Sequence, residues 1–471
     1  MTQLFYRLLT ATAFLGLTLH NAAANNDAKP RIVVLTDIAP GDTEPDDNES
    51  LVRLLAHADL YEIEALIPTS GWNNSGREYP KEWEQYMTAV IDAYEKDLPN
   101  LMKRSGQTGF LSLDKENGKQ TIGYWPSAEY VRSRMISGSK NLGIKYLGSG
   151  NDSPGSDFII ELANENDNRP LWILAWGGGN TVAQALWKVK NSGNQRALDK
   201  LVDKLRIYTI TDQDVDWGRR GQYDISSHKW MRTTFGDKLF FIWDESAWLS
   251  QNGIGASNWS EYEKYIQGKG HLGKAYPRYK WGVEGDTPSF LYVTPNGLDN
   301  SESPSDISWG GYFKKMLSDD STTVCHTNTR PDIKKISQKY ENYFYPAIFN
   351  NFAARMAWAE QGKGNRNPEV VVNGKKGLSP VEISAKSGQT INLDASKSSD
   401  PDGDRIDIKW LYLPEAGNGP TELDIAGDDT LKAELTVPRL PSGTKIHILC
   451  EATDNGDFNL KGYRRVIITV K

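Results

Sequence analysis

The sequence predicts an α/β domain built on a mainly parallel sheet with flanking helices, followed by a C-terminal all-β, immunoglobulin-like sandwich. Three observations carry this prediction. From Arg31 to about Gln361 short apolar runs alternate with helical stretches, the pattern of parallel strands joined by crossover helices. A Gly- and Asn-rich segment ending in Pro368 then interrupts the alternation. Beyond it come short alternating strands separated by turns, with no helical periodicity.

The first strand is Ile32 to Leu35, apolar and β-branched as a strand buried on both faces must be. It stops at Asp37. A Pro/Gly loop carrying Asp42 and Glu44 leads to Asp46 and Asp47. Leu51, Val52, Leu54 and Leu55 form the apolar stripe of the next helix, with Asp46 or Asp47 as its N-cap. Tyr61 to Thr69 is a second strand and Glu82 to Tyr94 a helix. A short helix, Asp157 to Leu162, precedes a third strand, Pro170 to Trp176. That strand runs into Gly177-Gly178-Gly179-Asn180-Thr181 and a helix from Val182 to Val189. Leu205 to Ile210 and Leu239 to Trp243 are further strands, ending in Thr211-Asp212 and Asp244-Glu245. After the break, strands are expected at Glu369 to Val372, Thr390 to Leu393, Ile406 to Tyr412, Ala433 to Val437, Lys445 to Ala452 and Tyr463 to Val470. The chain therefore divides into a leader at 1–24, an α/β domain at 25–365 and a β-domain at 366–471.

Composition narrows the function. The leader has the form of a secretory signal: Arg7, an apolar core from Leu8 to Leu19, and a small-residue cleavage site at Ala22-Ala23-Ala24. That core is short for a membrane span, and no later segment is long and apolar enough. The mature chain is expected in the periplasm or outside the cell. A net charge of −7 without a basic run excludes a nucleic acid polymer as partner. Cys325 and Cys450 either bridge in an oxidising compartment or stay as two buried thiols. Seven of the 15 tryptophans fall between Trp217 and Trp309. Packing accounts for most tryptophans, but aromatic faces also stack on sugar rings, so a carbohydrate ligand is expected.

The candidate site begins at the first strand end. Asp37, Asp42, Glu44, Asp46 and Asp47 crowd one strand-to-helix loop. In open α/β sheets such loops lie at the carboxyl edge, where ligands bind. Carboxylates this close repel one another unless protons or a cation intervene. A hard, oxygen-loving ion such as Ca²⁺ suits them. Trp72, Asn73 and Asn74 follow the second strand and could line the same pocket, as could Asp212 and Asp214. Asp244 and Glu245 are either an acid or a helix cap. Glu44 reads as solvated loop. The Ser398–Asp404 segment reads as a plain turn or, alternatively, a second cation site.

Three blocks carry a family resemblance. They are Leu35-Thr-Asp37-Ile through Asp46-Asp47-Asn48-Glu49-Ser50-Leu51, then Gly150-Asn151-Asp152-Ser153-Pro154-Gly155, and Leu174-Ala-Trp-Gly-Gly-Gly-Asn180-Thr-Val-Ala-Gln-Ala-Leu186. With the later Glu284-Gly285-Asp286-Thr287 segment they resemble the nucleoside hydrolases. The likeness is closer to their secreted relatives, the cellulose-binding proteins with a nucleoside-hydrolase-like domain. The turn at 398–404 resembles that of polycystic-kidney-disease-type sandwich domains. The resemblance implies a Ca²⁺ held by Asp37, Asp47, the carbonyl of Asn180 and Asp286. It also implies that Asp46 binds ribose-like hydroxyls, and that Asp37 takes a proton from a Ca²⁺-oriented water attacking the anomeric carbon. Asn73, Asn74, Asn151, Asp152 and Glu284 are expected around the substrate. Eight residues (38–45) separate Asp37 from Asp46, and Asp42 has the family's shorter spacing, so Asp42 rivals Asp37 for the first role. Gly285 and Asn151 stand where the family has histidines that serve the leaving group. Two functions are thus expected to compete. One is a Ca²⁺-dependent hydrolase of an N- or O-glycosidic bond. The other is a non-catalytic polysaccharide-binding protein, with cellulose among the candidate ligands.

Overall fold

The computed structural model describes residues 28–112, 120–219, 221–298 and 300–471. The expected leader lies outside the described residues. Seven strands form the first sheet: β1 (Arg31–Thr36), β2 (Glu62–Pro68), β3 (Leu171–Ala175), β4 (Leu205–Ile210), β5 (Phe240–Asp244), β6 (Lys314–Leu317) and β7 (Val324–Thr327). Their order is β2-β1-β3-β4-β5-β7-β6, parallel except for β6, which runs antiparallel to β7. Every residue of β1, β2 and β3 is buried. Alternate side chains feed two cores: Val34, Ile63 and Leu174 on one face, Val33, Ala65 and Ile173 on the other. Each valine, leucine or isoleucine among them contributes about 1.5–3 kcal/mol by leaving water, and the buried charges of these strands are paired, Glu64 with Arg31 and Glu62 with Arg169.

The strand order positions the site. From β1 the chain moves outward to β2, then returns to β3 on the other side of β1. The reversal opens a crevice beyond the carboxyl ends of β1 and β3, the usual ligand position in such sheets. Register aligns Leu35 with Ile67 and Ala175, so residues 37, 69–74 and 176–179 leave the sheet together.

Several elements differ from expectation. The second helix runs Glu84–Ser105, and a 31-residue helix, Pro331–Gln361, closes the domain. Strand β6 is largely exposed and polar, so it carries no apolar run to read. The C-terminal strands are β8 (Val381–Ala385), β9 (Thr390–Asp394), β10 (Ile406–Tyr412), β11 (Lys432–Thr436), β12 (Lys445–Asp454) and β13 (Lys461–Val470). They form a four-stranded sheet, β10-β12-β13-β8, and a β11-β9 pair. Leu393 and Leu435 from the pair share one core with Trp410, Ile448 and Val466. Glu369 to Val372 makes isolated bridges instead of a strand, because its partners are the turn residues Ser399 and Lys375.

The β-domain docks firmly. Arg465, fully buried, donates from Nε to the Leu298 carbonyl at 2.5 Å and from Nη2 to the carbonyls of Asp306 and Ile307. Tyr463 packs edge-on against Trp309 and Phe344. Asp402, in the turn at 398–404, pairs with both Arg104 and Arg366. Cys325 and Cys450 are buried free thiols in β7 and β12. Among the described residues no helix is long and apolar enough to cross a membrane.

Candidate functional site

Strand β1 delivers Asp37 to the crevice, where it is 2% exposed. Asn73 holds it there. Its backbone N–H donates to Oδ2 of Asp37 at 2.8 Å and its Nδ2 donates to the Asp37 carbonyl at 3.0 Å. Small neighbours make room. A Cβ on Gly71 would stand 2.3 Å from Cγ of Asp37, and one on Gly177 would stand 3.0 Å from its backbone nitrogen.

The following loop turns back on itself. The N–H groups of Thr43 and Glu44 both donate to the Pro40 carbonyl, at 2.7 and 3.2 Å. This turn carries Glu44 into the cleft, correcting the expectation of a solvated loop residue. Asp42 faces outward, exposed, with its carbonyl accepting from Nζ of Lys280 at 2.8 Å. Asp37 is therefore the one of the two rivals that lines the cleft. The helix Asp46–Ala56 is capped by Pro45 with no side-chain cap bond. Neither Asp46 nor Asp47 is the N-cap expected from sequence. Both lie in the first turn, where the positive end of the helix dipole favours them. Thr36 donates its hydroxyl to Oδ1 of Asp47. Asp286 arrives from far along the chain, just before the helix Thr287–Leu291.

One carboxylate oxygen from each of Asp46, Asp47 and Asp286 lies within 4.8 Å of the other two. Oδ1 of Asp46 and Oδ2 of Asp286 are buried with no hydrogen-bond partner. The electrostatics agree. Burial, helped by the Asp46 charge, raises the Asp37 carboxyl to about 7 against the pull of the Asn73 N–H. Burial followed by repulsion from Asp46 and Asp37 raises Glu44 to about 9. Burial raises Asp46, and burial plus neighbouring carboxylates hold Asp47 and Asp286 well above the usual carboxylate range. A divalent cation would relieve both the desolvation and the repulsion, and an all-oxygen donor set suits a hard ion.

Above this acidic floor lies a cleft of about 760 Å³. Trp72, Trp248 and Trp281 form its aromatic walls. Trp72 and Trp248 meet edge to face with ring centroids 6.3 Å apart, and Trp281 is 72% exposed at the rim. Gln213 spans two walls, accepting from the Trp72 N–H at 3.2 Å and donating to the Trp176 carbonyl. Among the described residues no histidine, lysine or arginine lines the cleft. Sequence reasoning missed Glu44, Gln213, Trp248 and Trp281 as cleft residues. The tryptophan density between 217 and 309 was the signal for the last two.

The other expected site residues fall in several places. Asn73 lines the cleft, but Asn74 is buried behind it, bonded to Ser70, Gly71 and Arg77. Glu284 is fully buried against Arg53, Tyr276 and Gln251. Asn180 is buried at the start of the helix Asn180–Asn191, its side chain bonded to both backbone groups of Gly143. The turn residue that abuts Asp37 is Gly177. Asn151 and Asp152 line a separate cavity of about 350 Å³ with Tyr79, Lys81 and Ser139. Asp152 pairs there with Lys188 at 2.9 Å and Gln184 at 2.7 Å. Asp244 caps the helix Ala247–Ser257, accepting N–H bonds from Ser246, Ala247 and Trp248. Asp212 and Asp214 flank Gln213 without lining the cleft themselves.

Residues 31–313 match the family described as cellulose-binding Sde182, nucleoside hydrolase-like domain. The chain belongs to this family. Residues 390–470 of the Sde182-family chain match a second description, cellulose-binding protein Sde0182, C-terminal domain. A solved structure of a nucleoside hydrolase-related hypothetical protein from Saccharophagus degradans, described as associated with carbohydrate metabolism, is similar throughout. It shares 32% identity, covers 94% of this chain and 100% of that chain, and superposes with a TM-score of 0.78. A PKD domain from the KIAA 1837 protein aligns with 23% of this chain and 90% of its own, at 19% identity and a TM-score of 0.17. A comparison with curated proteins returned no match.

Proposed function

We propose that this Sde182-family chain binds a carbohydrate in the acidic cleft, with Ca²⁺ at its floor, and hydrolyses an N- or O-glycosidic bond there. The observation that carries this reading is the convergence of Asp46, Asp47 and Asp286 beside Asp37, with buried carboxylate oxygens left without partners. The cellulose-binding family description and the carbohydrate association of the solved relative support a sugar ligand.

Asp47 and Asp286 would hold the ion with Asp37 beside them, and Asp46, whose oxygen converges on theirs, would contact both the ion and the sugar hydroxyls. When bound, the ion polarises and orients a water. Asp37 is the proton acceptor, because the Asn73 N–H orients its carboxylate, the Asn73 side chain holds its backbone carbonyl, and it lines the cleft. The negative floor favours an oxocarbenium-like transition state. Trp72, Trp248 and Trp281 supply faces on which a sugar ring stacks. Glu44 lines the same cleft outside the ion's ligand set and would protonate the leaving group. The catalytic unit is the 25–365 domain, the 366–471 unit extends the sugar-binding surface, and the leader at 1–24 directs the chain to the periplasm or beyond.

The lack of a histidine among the described cleft residues favours a second reading, sugar binding without hydrolysis. One experiment separates the two. The mature chain is incubated with nucleosides, aryl glycosides and cello-oligosaccharides, with Ca²⁺ or with chelator, beside an insoluble-cellulose retention assay. Ca²⁺-dependent release that disappears in Asp37→Asn supports hydrolysis. Retention with no release across the panel supports the second reading. No Ca²⁺ binding by calorimetry overturns the ion's role in both.

A further inference from the structure

A second buried cluster lies behind the cleft wall. The loop that follows β4 presents alternate residues to opposite sides. Gln213 lines the acidic cleft, whereas Asp212 and Asp214 are buried beside His228 of the helix Ser227–Phe235. One ligand atom from each of Asp212, Asp214 and His228 lies within 4.8 Å of the other two. His228 is 1% exposed, and neither ring nitrogen has a hydrogen-bond partner. Its Nδ1 points at Oδ1 of Asp212 from 3.9 Å, too far for a hydrogen bond. A buried imidazole with both nitrogens unsatisfied is a costly arrangement that calls for a partner. Gly179 leaves room for the ring, since a Cβ there would stand 2.6 Å from Nε2.

The carboxylates are oriented from behind, as metal ligands are. Asp212 accepts from Oγ of Ser226 at 2.6 Å and from the Asp214 N–H at 3.3 Å. Asp214 accepts from the N–H of Ser227 at 2.6 Å, from its hydroxyl, and from the Gly179 N–H at 3.2 Å. One imidazole and two carboxylates form a donor set unlike the all-oxygen cleft floor. Nitrogen with oxygen favours a first-row transition ion.

We propose that Asp212, Asp214 and His228 form a second divalent metal site, for an ion such as Zn²⁺ or Mn²⁺, that braces the loop lining the acidic cleft. An ion there ties the end of β4 to the helix at Ser227 and, through Gly179, to the glycine turn after β3. Gln213 then keeps its bridge between Trp72 and Trp176. The site is independent of the Ca²⁺ reading, because the two ligand sets share no residue.

The test uses the full mature chain. It is stripped with chelator, loaded separately with Zn²⁺ and with Mn²⁺, freed of excess ion, and measured by elemental analysis. The wild type should retain about one equivalent of one of these ions. His228→Gln and Asp214→Asn should each lose it while keeping calorimetric Ca²⁺ binding. Asp286→Asn should show the converse, which separates this site from the cleft. Co²⁺ loading of the wild type gives a readout that needs no variant, since X-ray absorption should show a histidine imidazole in the ligand shell. A wild type that retains neither ion, equal retention in His228→Gln, or a Co²⁺ shell without imidazole overturns the proposal.

Discussion

Thr36, the last residue of β1, donates its hydroxyl to the carboxylate of Asp47 in the first turn of the next helix. This bond joins the strand end to the helix start and lowers the cost of a buried carboxylate that Asp37 and Asp46 repel. Thr36→Val removes the donor at nearly constant shape. The chelated chain should lose about 1–3 kcal/mol of stability, the cost of an unsatisfied buried acceptor. Urea unfolding in chelator measures this, and an unchanged midpoint would contradict it.

Gly71→Ala should displace Asp37, since the new Cβ would fall 2.3 Å from Cγ of Asp37. Gly71 has an extended backbone, φ −159°, so the cost arises from contact and not from torsion. About 1–3 kcal/mol of stability should be lost, as for other overpacked sites. Ca²⁺ affinity should fall with it, and calorimetry showing wild-type affinity would exclude Asp37 from the ion site.

The pH dependence of the ion-free chain follows from the raised carboxyls. Asp37 is raised from 3.8 to about 7, so between these values the native state holds a proton that the unfolded state releases. The stability it contributes is complete below the lower value and is lost as pH rises through about 7. Glu44, raised to about 9, extends the same loss upward. Ca²⁺ takes the place of those protons, so its gain in melting temperature should grow from pH 4.5 to pH 8. Equal gains at both ends of that range would contradict a carboxylate ion site.

Trp281 is 72% exposed at the cleft rim, so Trp281→Ala should leave the melting temperature unchanged. Its retention on insoluble cellulose should fall by roughly tenfold, the equivalent of about 1.4 kcal/mol. A depletion isotherm matching the wild type would remove Trp281 from the sugar site.

Arg465→Met tests the docking of the β-domain. It removes the guanidinium that serves the carbonyls of Leu298, Asp306 and Ile307 while keeping much of the buried volume. A loss of about 3 kcal/mol is expected, as when one partner of a buried charged network is deleted. Calorimetry should then resolve two melting transitions, against the single one expected of the wild type.

The amino-acid sequence by itself determined the fold class and the acidic loop. The run from Ile32 to Leu35 is apolar because both faces of β1 are covered, and Asp37, Asp46 and Asp47 are close in the chain. Both signals are local, so spacing alone exposes them. Asp286 was reached through family resemblance, because nothing near it in the chain is acidic enough to mark it beyond Glu284. Only the tertiary structure decided which carboxylates share a cleft. The turn onto Pro40 sends Glu44 inward and Asp42 outward, and Pro45 takes the N-cap position in place of Asp46 or Asp47. Asn151 and Asp152 went to another cavity, and the helix Ser227–Phe235, within the same connection from β4 to β5, folded His228 back onto Asp212 and Asp214. The meeting of Asp286 with Asp46 and Asp47 depends on how distant segments pack at the β1 strand end, which residue spacing does not encode. Burial then turns that convergence into chemistry, since carboxylates that would ionise freely in water demand a proton or a cation once the fold has removed their solvent.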